Sequence, residues 1–178
     1  MELLSPAGDI NKLRYALAYG ADAVYASGTS FGLRSHSRNF NHQELSEAVN
    51  LVHQAGKKIY ITVNIYAHNK QIAGMEEYLT YLAELDVDAL IISDPGVLWQ
   101  ANKFAPKIPV HISTQANVTS WSSAKFWQSA GAKRIILARE LGISEISEIK
   151  ERLPELELEM FVHGAMCMSY SGRCLLSA

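Results

Sequence analysis

The stretch at residues 20–25, GADAVY, combines a helix-ending glycine, a tight turn and the start of an apolar strand. The order of helix end, tight turn and apolar strand recurs as DVDALI at residues 86–91 and as GAKRII at residues 131–136. Each copy indicates a helix that ends, reverses in a short turn and leads into a strand. Repeated alternation of this kind predicts a parallel sheet, because parallel neighbours need a crossover helix between them.

Short β-type runs alternate with stretches of helical period along the whole chain. The predicted strands cover residues 2–4, 23–26, 58–64, 89–93, 110–113, 134–138 and 157–162. The predicted helices cover residues 9–19, 42–55, 70–84, 95–104, 120–130 and 144–152, with N-caps at Asp9, Asn41 and Ser144. No glycine-rich dinucleotide fingerprint opens the first helix. These features favour an α/β fold, an incomplete (β/α)8 TIM-like barrel with about seven parallel strands.

The length of the chain bears on whether this barrel closes. A complete (β/α)8 barrel takes about 250 residues, whereas this chain has 178. We therefore expect residues 1–178 to form a single amino-terminal barrel domain that lacks its last strand and helix. Because unpaired strand edges favour association, a homodimer that completes the open barrel is a further expectation.

The composition is that of a globular protein, with 48% hydrophobic residues, 19% charged residues and a net charge of −2. A near-neutral charge argues against a uniformly basic surface for nucleic acid but leaves room for a local basic loop. The chain contains no membrane-spanning apolar run and no signal-peptide pattern at its start. We therefore expect a cytoplasmic protein without a membrane partner. Trp99, Trp121 and Trp127 fall in predicted helices, where packing is the expected role.

Polar residues share one side of three predicted strands. Alternate strand residues point to opposite faces, and the polar side holds Thr62, Asn64, His111, Ser113, Gln115, Glu159 and His163. A polar barrel interior is costly unless its groups pair or meet a ligand. We expect catalytic roles for His163, Glu159, Asn64 and His111, and a substrate-binding role for Gln115. A hydrogen-bonded polar interior without chemistry is the alternative.

A basic and aromatic loop follows the second strand on the rim where barrel active sites lie. Residues 31–40, FGLRSHSRNF, contain two arginines, one histidine and two phenylalanines. The planar fork of arginine suits carboxylate or phosphate, and aromatic rings stack on bases. We predict that Arg34 and Arg38, together with Arg139 after the sixth strand, bind substrate; a solvated loop is the alternative.

The segment at residues 163–174, HGAMCMSYSGRC, brings a histidine and both cysteines of the chain together. Three chemistries compete there: a Cys167 nucleophile activated by His163, a zinc site, and an iron–sulfur cluster completed by cysteines from elsewhere. The separation of the cysteines is wider than in zinc knuckles. Two small buried thiols without a functional role are the structural alternative.

Several stretches together resemble the collagenase-like peptidase family U-32. They are ELLSPAGD at residues 2–9, YGADAVY at 19–25, STQAN at 113–117, the pair Arg139-Glu140, FVHGA at 161–165, Cys167, and SGRC at 171–174. The resemblance extends over essentially the whole chain, and the cysteine segment is its most specific part. The nearest subgroup is the prephenate-dependent tRNA uridine 5-hydroxylases, which modify the wobble position.

The resemblance implies a barrel-like domain that takes part in oxygen-independent hydroxylation. It implies a [4Fe–4S] cluster on four cysteines in the full-length protein, of which Cys167 and Cys174 match the first two. It also implies tRNA as a partner and a small dicarboxylate, prephenate, as the hydroxyl donor. The leading hypothesis is an RNA-modifying hydroxylase that acts on the wobble uridine. A peptidase that uses Cys167 and His163, and a non-catalytic binding or assembly module, are the alternatives.

Overall fold

Seven parallel strands form one sheet in the part of the chain that the structure describes. The structure is a computed structural model that describes residues 1–32, 39–164 and 167–174. The strands follow one another in chain order and every neighbouring pair is parallel. They are β1 (Leu4–Pro6), β2 (Ala23–Ser27), β3 (Lys58–Val63), β4 (Ala89–Ile92), β5 (Val110–Ile112), β6 (Arg134–Ile136) and β7 (Glu157–Glu159). This topology confirms the predicted incomplete α/β barrel.

Helices connect the strands on the outside of the sheet. They are α1 (Ile10–Ala18), α2 (His42–Gln54), α3 (Asn69–Ile72), α4 (Met75–Glu84), α5 (Pro95–Phe104), α6 (Trp121–Ser129) and α7 (Ile143–Arg152). A short 3-10 turn, Thr114–Ala116, follows β5. No helix in the described ranges is long and apolar enough to cross a membrane.

Two of the three predicted N-caps are confirmed. The Asp9 carboxylate accepts a hydrogen bond from the first turn of α1, and Asn41 forms a full capping box on α2. The prediction of Ser144 as the cap of α7 is wrong, because Gly142 occupies that position. The Glu145 carboxylate accepts the Gly142 N–H at 2.8 Å, which is the half of a capping box that remains when the N-cap is a glycine without a side chain.

Several element boundaries differ from the predicted ones. The helix predicted over residues 70–84 is divided at Gly74, a residue type that is unfavourable inside a helix. The first strand covers Leu4–Pro6 rather than residues 2–4, because Leu4 pairs with Ala23. The seventh strand ends at Glu159, so residues 160–162 lie beyond it. Strand ends are set by pairing with a neighbour, which the local pattern does not contain.

The sheet buries both of its faces. The face under the helices is apolar and includes Val24, Ile59, Ile61, Leu90 and Ile112, all fully buried. The lumen face carries a second apolar cluster of Ala23, Tyr60, Ala89, Ile91 and Ile136. Thr62, His111 and Ser113 are buried polar residues, and their strand positions place them on this second face. The lumen is therefore a mixture of apolar and polar side chains rather than the wholly polar interior that the strand pattern suggested.

An ion-pair network crosses the lumen near the amino-terminal ends of the strands. The Arg134 guanidinium donates to Glu2 at 2.6 Å, to Glu157 at 2.8 Å and to Glu159 at 3.4 Å. The Tyr60 hydroxyl donates to the same Glu2 oxygen at 2.9 Å. Because Glu2 precedes β1 and Arg134 opens β6, this network joins the two sides of the open barrel. In the described residues the outer edges of β1 and β7 have no strand partner.

Candidate functional site at the carboxyl ends of the strands

A cavity of about 390 Å³ opens where β6 ends and the cysteine segment returns to the sheet. Its lining consists of Arg139, Glu140, Cys167, Met168, Ser169 and Tyr170. The cavity lies at the carboxyl-terminal ends of the strands, which we call the mouth of the barrel. In barrels of this type the mouth is the face that carries active sites.

Arg139 holds the cysteine segment against the mouth. Its backbone N–H and its Nε both donate to the Ser171 hydroxyl, at 3.1 and 3.2 Å. Its Nη2 donates to the Ser169 carbonyl at 3.0 Å. In return the Ser171 N–H donates to Glu140 Oε1 at 2.8 Å. Ser171 is fully buried, and we call this set of bonds the Arg139 clamp.

The electrostatics of Glu140 agree with this geometry. Its partial burial acts to raise the pKa of the carboxyl. The hydrogen bonds from Ser171 and from its own backbone, with the nearby Arg139 charge, outweigh that effect and hold the pKa below its ordinary value. Glu140 is therefore a carboxylate that accepts the Ser171 N–H, and with Arg139 it holds the cysteine segment at Ser171.

A second contact brings the cysteine segment to the end of β5. Gly172 has a φ of +75°, and a Cβ at this position would collide with the Gln115 carbonyl oxygen. Its own carbonyl accepts a hydrogen bond from the Tyr66 hydroxyl at 3.3 Å. Only glycine allows this approach and this backbone conformation together. The segment is thus attached to loops after β3, β5 and β6.

The two thiols differ in exposure. Cys167 is exposed, and its sulfur accepts the Ser169 N–H at 3.4 Å. Cys174 is half-buried, and neither cysteine forms a disulfide. Within the described ranges no cluster of three or more histidine, cysteine or acidic side chains is arranged to hold a metal. A [4Fe–4S] cluster takes four thiolates, so the two cysteines of this chain fit half of its ligand set and do not complete it.

On β5 and just after it, three buried polar atoms lack a hydrogen-bond partner. They are His111 Nδ1, Gln115 Oε1 and Asn117 Oδ1, as judged over the described part of the chain. Unpaired polar groups cost free energy when they are buried, and they commonly meet water or a ligand. Asn117 adopts a left-handed backbone conformation with a φ of +50°. The end of β5 therefore offers acceptors to a small polar molecule.

His111 and Glu159 lie with the ion-pair network rather than with the Arg139 clamp. Burial, assisted by the Arg134 charge, lowers the pKa of His111 to about 4, so its imidazole is neutral at pH 7. Its ring packs edge-on against the Tyr60 ring, with 4.7 Å between the two ring centres. Burial raises the pKa of Glu159, and the opposing effect of Arg134 does not cancel that shift. Both residues contact charged and aromatic neighbours that hold the lumen together.

The remaining predicted site residues occupy different surroundings. His163 is exposed, beyond the end of β7. Asn64 follows β3, and its carbonyl accepts a hydrogen bond from the Ser93 hydroxyl at 3.3 Å. Arg34 and Arg38 lie outside the described residues, so the basic loop stays a prediction. The structure brings Gln115, Arg139 and both cysteines to one mouth, since the Arg139 clamp and the Gly172 contact join their loops.

Sequence reasoning named Glu159 but did not find Glu2 and Arg134, the pair that carries the ion-pair network across the lumen. Glu2 and Arg134 have opposite charges and lie near the beginnings of their strands. That placement at strand beginnings is a signal for a cross-lumen pair, although it does not identify which charges meet. Ser171 lies in the quoted cysteine segment, but its buried position between Arg139 and Glu140 comes only from tertiary contacts.

Comparisons with known proteins agree with this architecture. The family model described as "Peptidase family U32" matches residues 8–178. The tRNA hydroxylation protein P of Escherichia coli (strain K12) is 49% identical over 99% of this chain, which covers 39% of that protein. The 23S rRNA 5-hydroxycytidine C2501 synthase of the same organism is 38% identical over 99% of this chain, which covers 26% of that protein.

A solved structure shares the fold. The U32 peptidase Mk0906 superimposes with a TM-score of 0.77 and 19% sequence identity, over 90% of this chain and 68% of that one. The chain spans about two fifths of the length of its similar tRNA hydroxylation relative. The family model and the curated identities agree over nearly every residue, and on that basis the chain belongs to peptidase family U32.

Proposed function

We propose that this chain forms part of an RNA hydroxylase that modifies the wobble uridine of tRNA without molecular oxygen. The observation that carries the proposal is the Arg139 clamp, which fixes the cysteine segment across the barrel mouth. The clamp leaves the Cys167 side chain exposed on an open groove, where a ligand can reach its sulfur. Relatives named for hydroxylation of tRNA and ribosomal RNA support the substrate class.

Within this proposal, Cys167 and Cys174 are two of the four ligands of an iron–sulfur cluster. The cluster would supply one-electron chemistry, and its other two thiolates would come from another part of the protein. The bond from the Ser169 N–H to Cys167 Sγ orients the exposed sulfur beside the cavity, and the thiolate is the form of cysteine that binds metal. The Arg139 clamp fixes the backbone that carries both cysteines.

The hydroxyl donor would be a small dicarboxylate of the prephenate type, bound beside the clamp. The clamp uses two of the five N–H donors of the Arg139 side chain. The other three remain to form charge-assisted hydrogen bonds with a carboxylate. Gln115 Oε1 and Asn117 Oδ1 are buried acceptors suited to a hydroxyl group of the same molecule.

The test compares cysteine variants of the native-length protein in cells that lack the endogenous gene and grow without oxygen. We expect Cys167→Ser and Cys174→Ser to abolish 5-hydroxyuridine in total tRNA, measured by mass spectrometry of nucleosides. Met160→Leu is the control, because Met160 is 42% exposed beyond the end of β7 and does not line the cavity, and it should leave modification intact. Anaerobically purified protein should contain iron and sulfide, and both cysteine variants should lose them.

Two outcomes would contradict the proposal. Normal tRNA modification by the Cys167 variant would show that the cysteine segment has another role. Cleavage of denatured collagen that His163→Ala abolishes, in protein that does not modify tRNA, would establish the peptidase instead. The structure offers the peptidase less support, because the described contact of Cys167 Sγ is with a backbone N–H.

A further inference from the structure

The charges of this chain are unevenly distributed. Residues 95–139 contain six lysines and arginines and no aspartate or glutamate. The other 133 residues hold the remaining ten cations and all eighteen acidic residues. A chain with a net charge of −2 thus contains one sector of 45 residues with a formal charge of +6. This sector builds α5, β5, α6 and β6.

Four of the six cations lie on the outer surface of that sector. Arg134 points into the lumen and Arg139 forms the clamp, whereas Lys103, Lys107, Lys125 and Lys133 are all exposed. In the described ranges no carboxylate lies within 4.0 Å of any of these four lysines. None of the four therefore forms an ion pair with a described residue, although Lys107 lines a surface groove together with Asp86.

Exposed aromatic rings lie among these lysines. Trp99 on α5 is 62% exposed and Phe126 on α6 is 61% exposed, whereas Trp127 is buried at 7%. The packing role predicted for all three tryptophans holds for Trp127 and is wrong for Trp99. The Lys103 ammonium lies 5.6 Å from the centre of the Trp99 ring, close enough for a cation–π contact.

The ends of the two helices meet, which places these groups on adjacent parts of the surface. Asn102 Nδ2 at the end of α5 donates to the Ala130 carbonyl after α6 at 3.3 Å. Lys133 N donates to the Val110 carbonyl at 2.9 Å, which places the two strand beginnings side by side. We call the set of Trp99, Lys103, Lys107, Lys125, Phe126 and Lys133 the α5–α6 face.

We propose that the α5–α6 face binds RNA, with the lysines on the sugar–phosphate backbone and Trp99 stacked on a base. The inference rests on the proposed function, in which RNA is the substrate. Helix α5 starts at Pro95, shortly after β4 and so at the mouth, and it extends about 15 Å down the side of the barrel. Lys103, Lys107 and Lys133 lie toward the far end of this helix, near the beginnings of β5 and β6. An RNA whose reacting base enters the mouth would reach them with the backbone that runs down the side of the barrel.

Charge favours RNA over a protein as the occupant of the face. The cores of protein interfaces are depleted in lysine. A protein that covered the face would have to desolvate four ammonium groups that form no ion pair. A polyanion instead gains free energy through the release of its counterions. Aromatic side chains among lysines are the usual combination in surfaces that bind single-stranded nucleic acid.

The experiment measures binding of unmodified full-length tRNA transcript to the native-length protein over a range of salt concentrations. Replacing all four lysines of the α5–α6 face with glutamine should lower the slope of log affinity against log salt by about three to four. Trp99→Leu should weaken binding about tenfold and leave the slope unchanged, because it removes stacking and no charge.

The control uses α1, which presents a similar set of groups elsewhere on the barrel. Lys12 and Arg14 there are paired with Asp9 and Glu47, and Tyr15 is 68% exposed. Lys12→Gln/Arg14→Gln and Tyr15→Leu should bind tRNA as the parent protein does.

Three results overturn the inference, and they are distinguishable. Undiminished tRNA binding by the lysine and Trp99 variants rejects the α5–α6 face alone, and the proposed function stands if these variants still modify tRNA. A change of oligomeric state with tRNA affinity unchanged identifies the face as a protein interface. Absence of tRNA binding by the parent protein rejects both the face and the proposed function.

Discussion

The guanidinium of Arg139 and the hydroxyl of Ser171 are joined by a hydrogen bond of 3.2 Å across 32 residues of sequence. The same hydroxyl also accepts the Arg139 backbone N–H, and the Ser171 backbone N–H donates to Glu140. One serine thus connects the end of β6 to the cysteine segment. This arrangement assigns Arg139 a positioning role in addition to the substrate-binding role predicted from its place on the rim.

Ser171→Ala should destabilise the attachment of the cysteine segment. The substitution leaves two Arg139 donors without their partner at a fully buried position, which costs about 1–3 kcal/mol. Urea unfolding measures the loss, and hydrogen exchange of residues 167–174 shows whether the segment detaches. The matched control is Ser169→Ala, because Ser169 contributes only its backbone carbonyl to the clamp. Equal stability of the two variants would contradict the clamp.

Gly172→Ala should be more damaging than an alanine at an otherwise similar glycine. Gly56 shares the left-handed backbone, with a φ of +67°, but a Cβ added there would meet no atom within 4 Å. Gly56→Ala should therefore cost about 1 kcal/mol for backbone strain alone. Gly172→Ala adds a clash with the Gln115 carbonyl and should release the segment. Thermal unfolding together with iron content of the native-length protein checks this, and similar effects of both substitutions would refute it.

Arg134→Leu should destabilise the barrel strongly. Arg134 is 12% exposed in its side chain and contacts three carboxylates, so its removal leaves negative charges together without compensation. Removing one partner of a buried ion pair lowers the free energy of unfolding by about 3–5 kcal/mol. Because Glu2 and Glu157 are partly exposed, we expect a loss at the lower end of this range. The control Arg14→Leu removes a surface ion pair in which Arg14 Nη2 lies 3.6 Å from Glu47 Oε1. We expect this control to lower the free energy of unfolding by about 0–1 kcal/mol. Comparable losses in urea unfolding would disprove the role of the network.

The stability of the protein should rise with pH between about 4 and 6.5 because of His111. Its pKa is about 4 in the folded protein and about 6.5 in an unfolded chain, so the unfolded chain binds more protons in this window. The contribution is fully present above pH 6.5 and is lost as the pH falls toward 4, by about 3 kcal/mol.

Neighbouring carboxyls add their own pH dependence to that of His111. Glu159, with its raised pKa, stabilises the fold at low pH and loses that contribution as the pH rises through its folded value. His111→Gln should therefore flatten the dependence of the free energy of unfolding on pH between 4 and 6.5, as measured by urea titrations. The pH dependence that remains in this variant comes from the carboxyl groups. An NMR titration in which His111 protonates near pH 6.5 in the folded protein would contradict this prediction.

The regular parts of the fold could be predicted because their signals are local. The period of apolar residues and the glycines at helix ends identified the seven strands, and Asp9 and Asn41 were recognisable as caps. Gly74 and Gly142 were missed, since a helix break and an unusual cap depend on which neighbouring groups are in reach. Strand ends shifted by a few residues for the same reason, as the pairing of Leu4 with Ala23 shows.

The candidate site was predictable only in its location. Strand parity and rim position pointed to Gln115, Arg139 and the cysteine segment, and the structure places their loops together at the mouth; their roles in a site stay a prediction. The same pattern grouped His111 and Glu159 with them, because parity gives the face of a strand and not the height along the barrel. The register places His111 opposite Arg134, the first residue of β6, and thus beside the ion-pair network.

By itself the amino-acid sequence determined the class of fold, the order of its strands, the two thiols and the basic sector of residues 95–139. All of these follow from composition and periodicity along the chain. Tertiary structure alone decided that Arg139 holds Ser171, that Glu2 meets Arg134 across the lumen, and that Trp99 is exposed among lysines. The physical reason is that hydrogen bonds and ion pairs act over a few ångströms, and only the folded chain brings residues so far apart in sequence within that range.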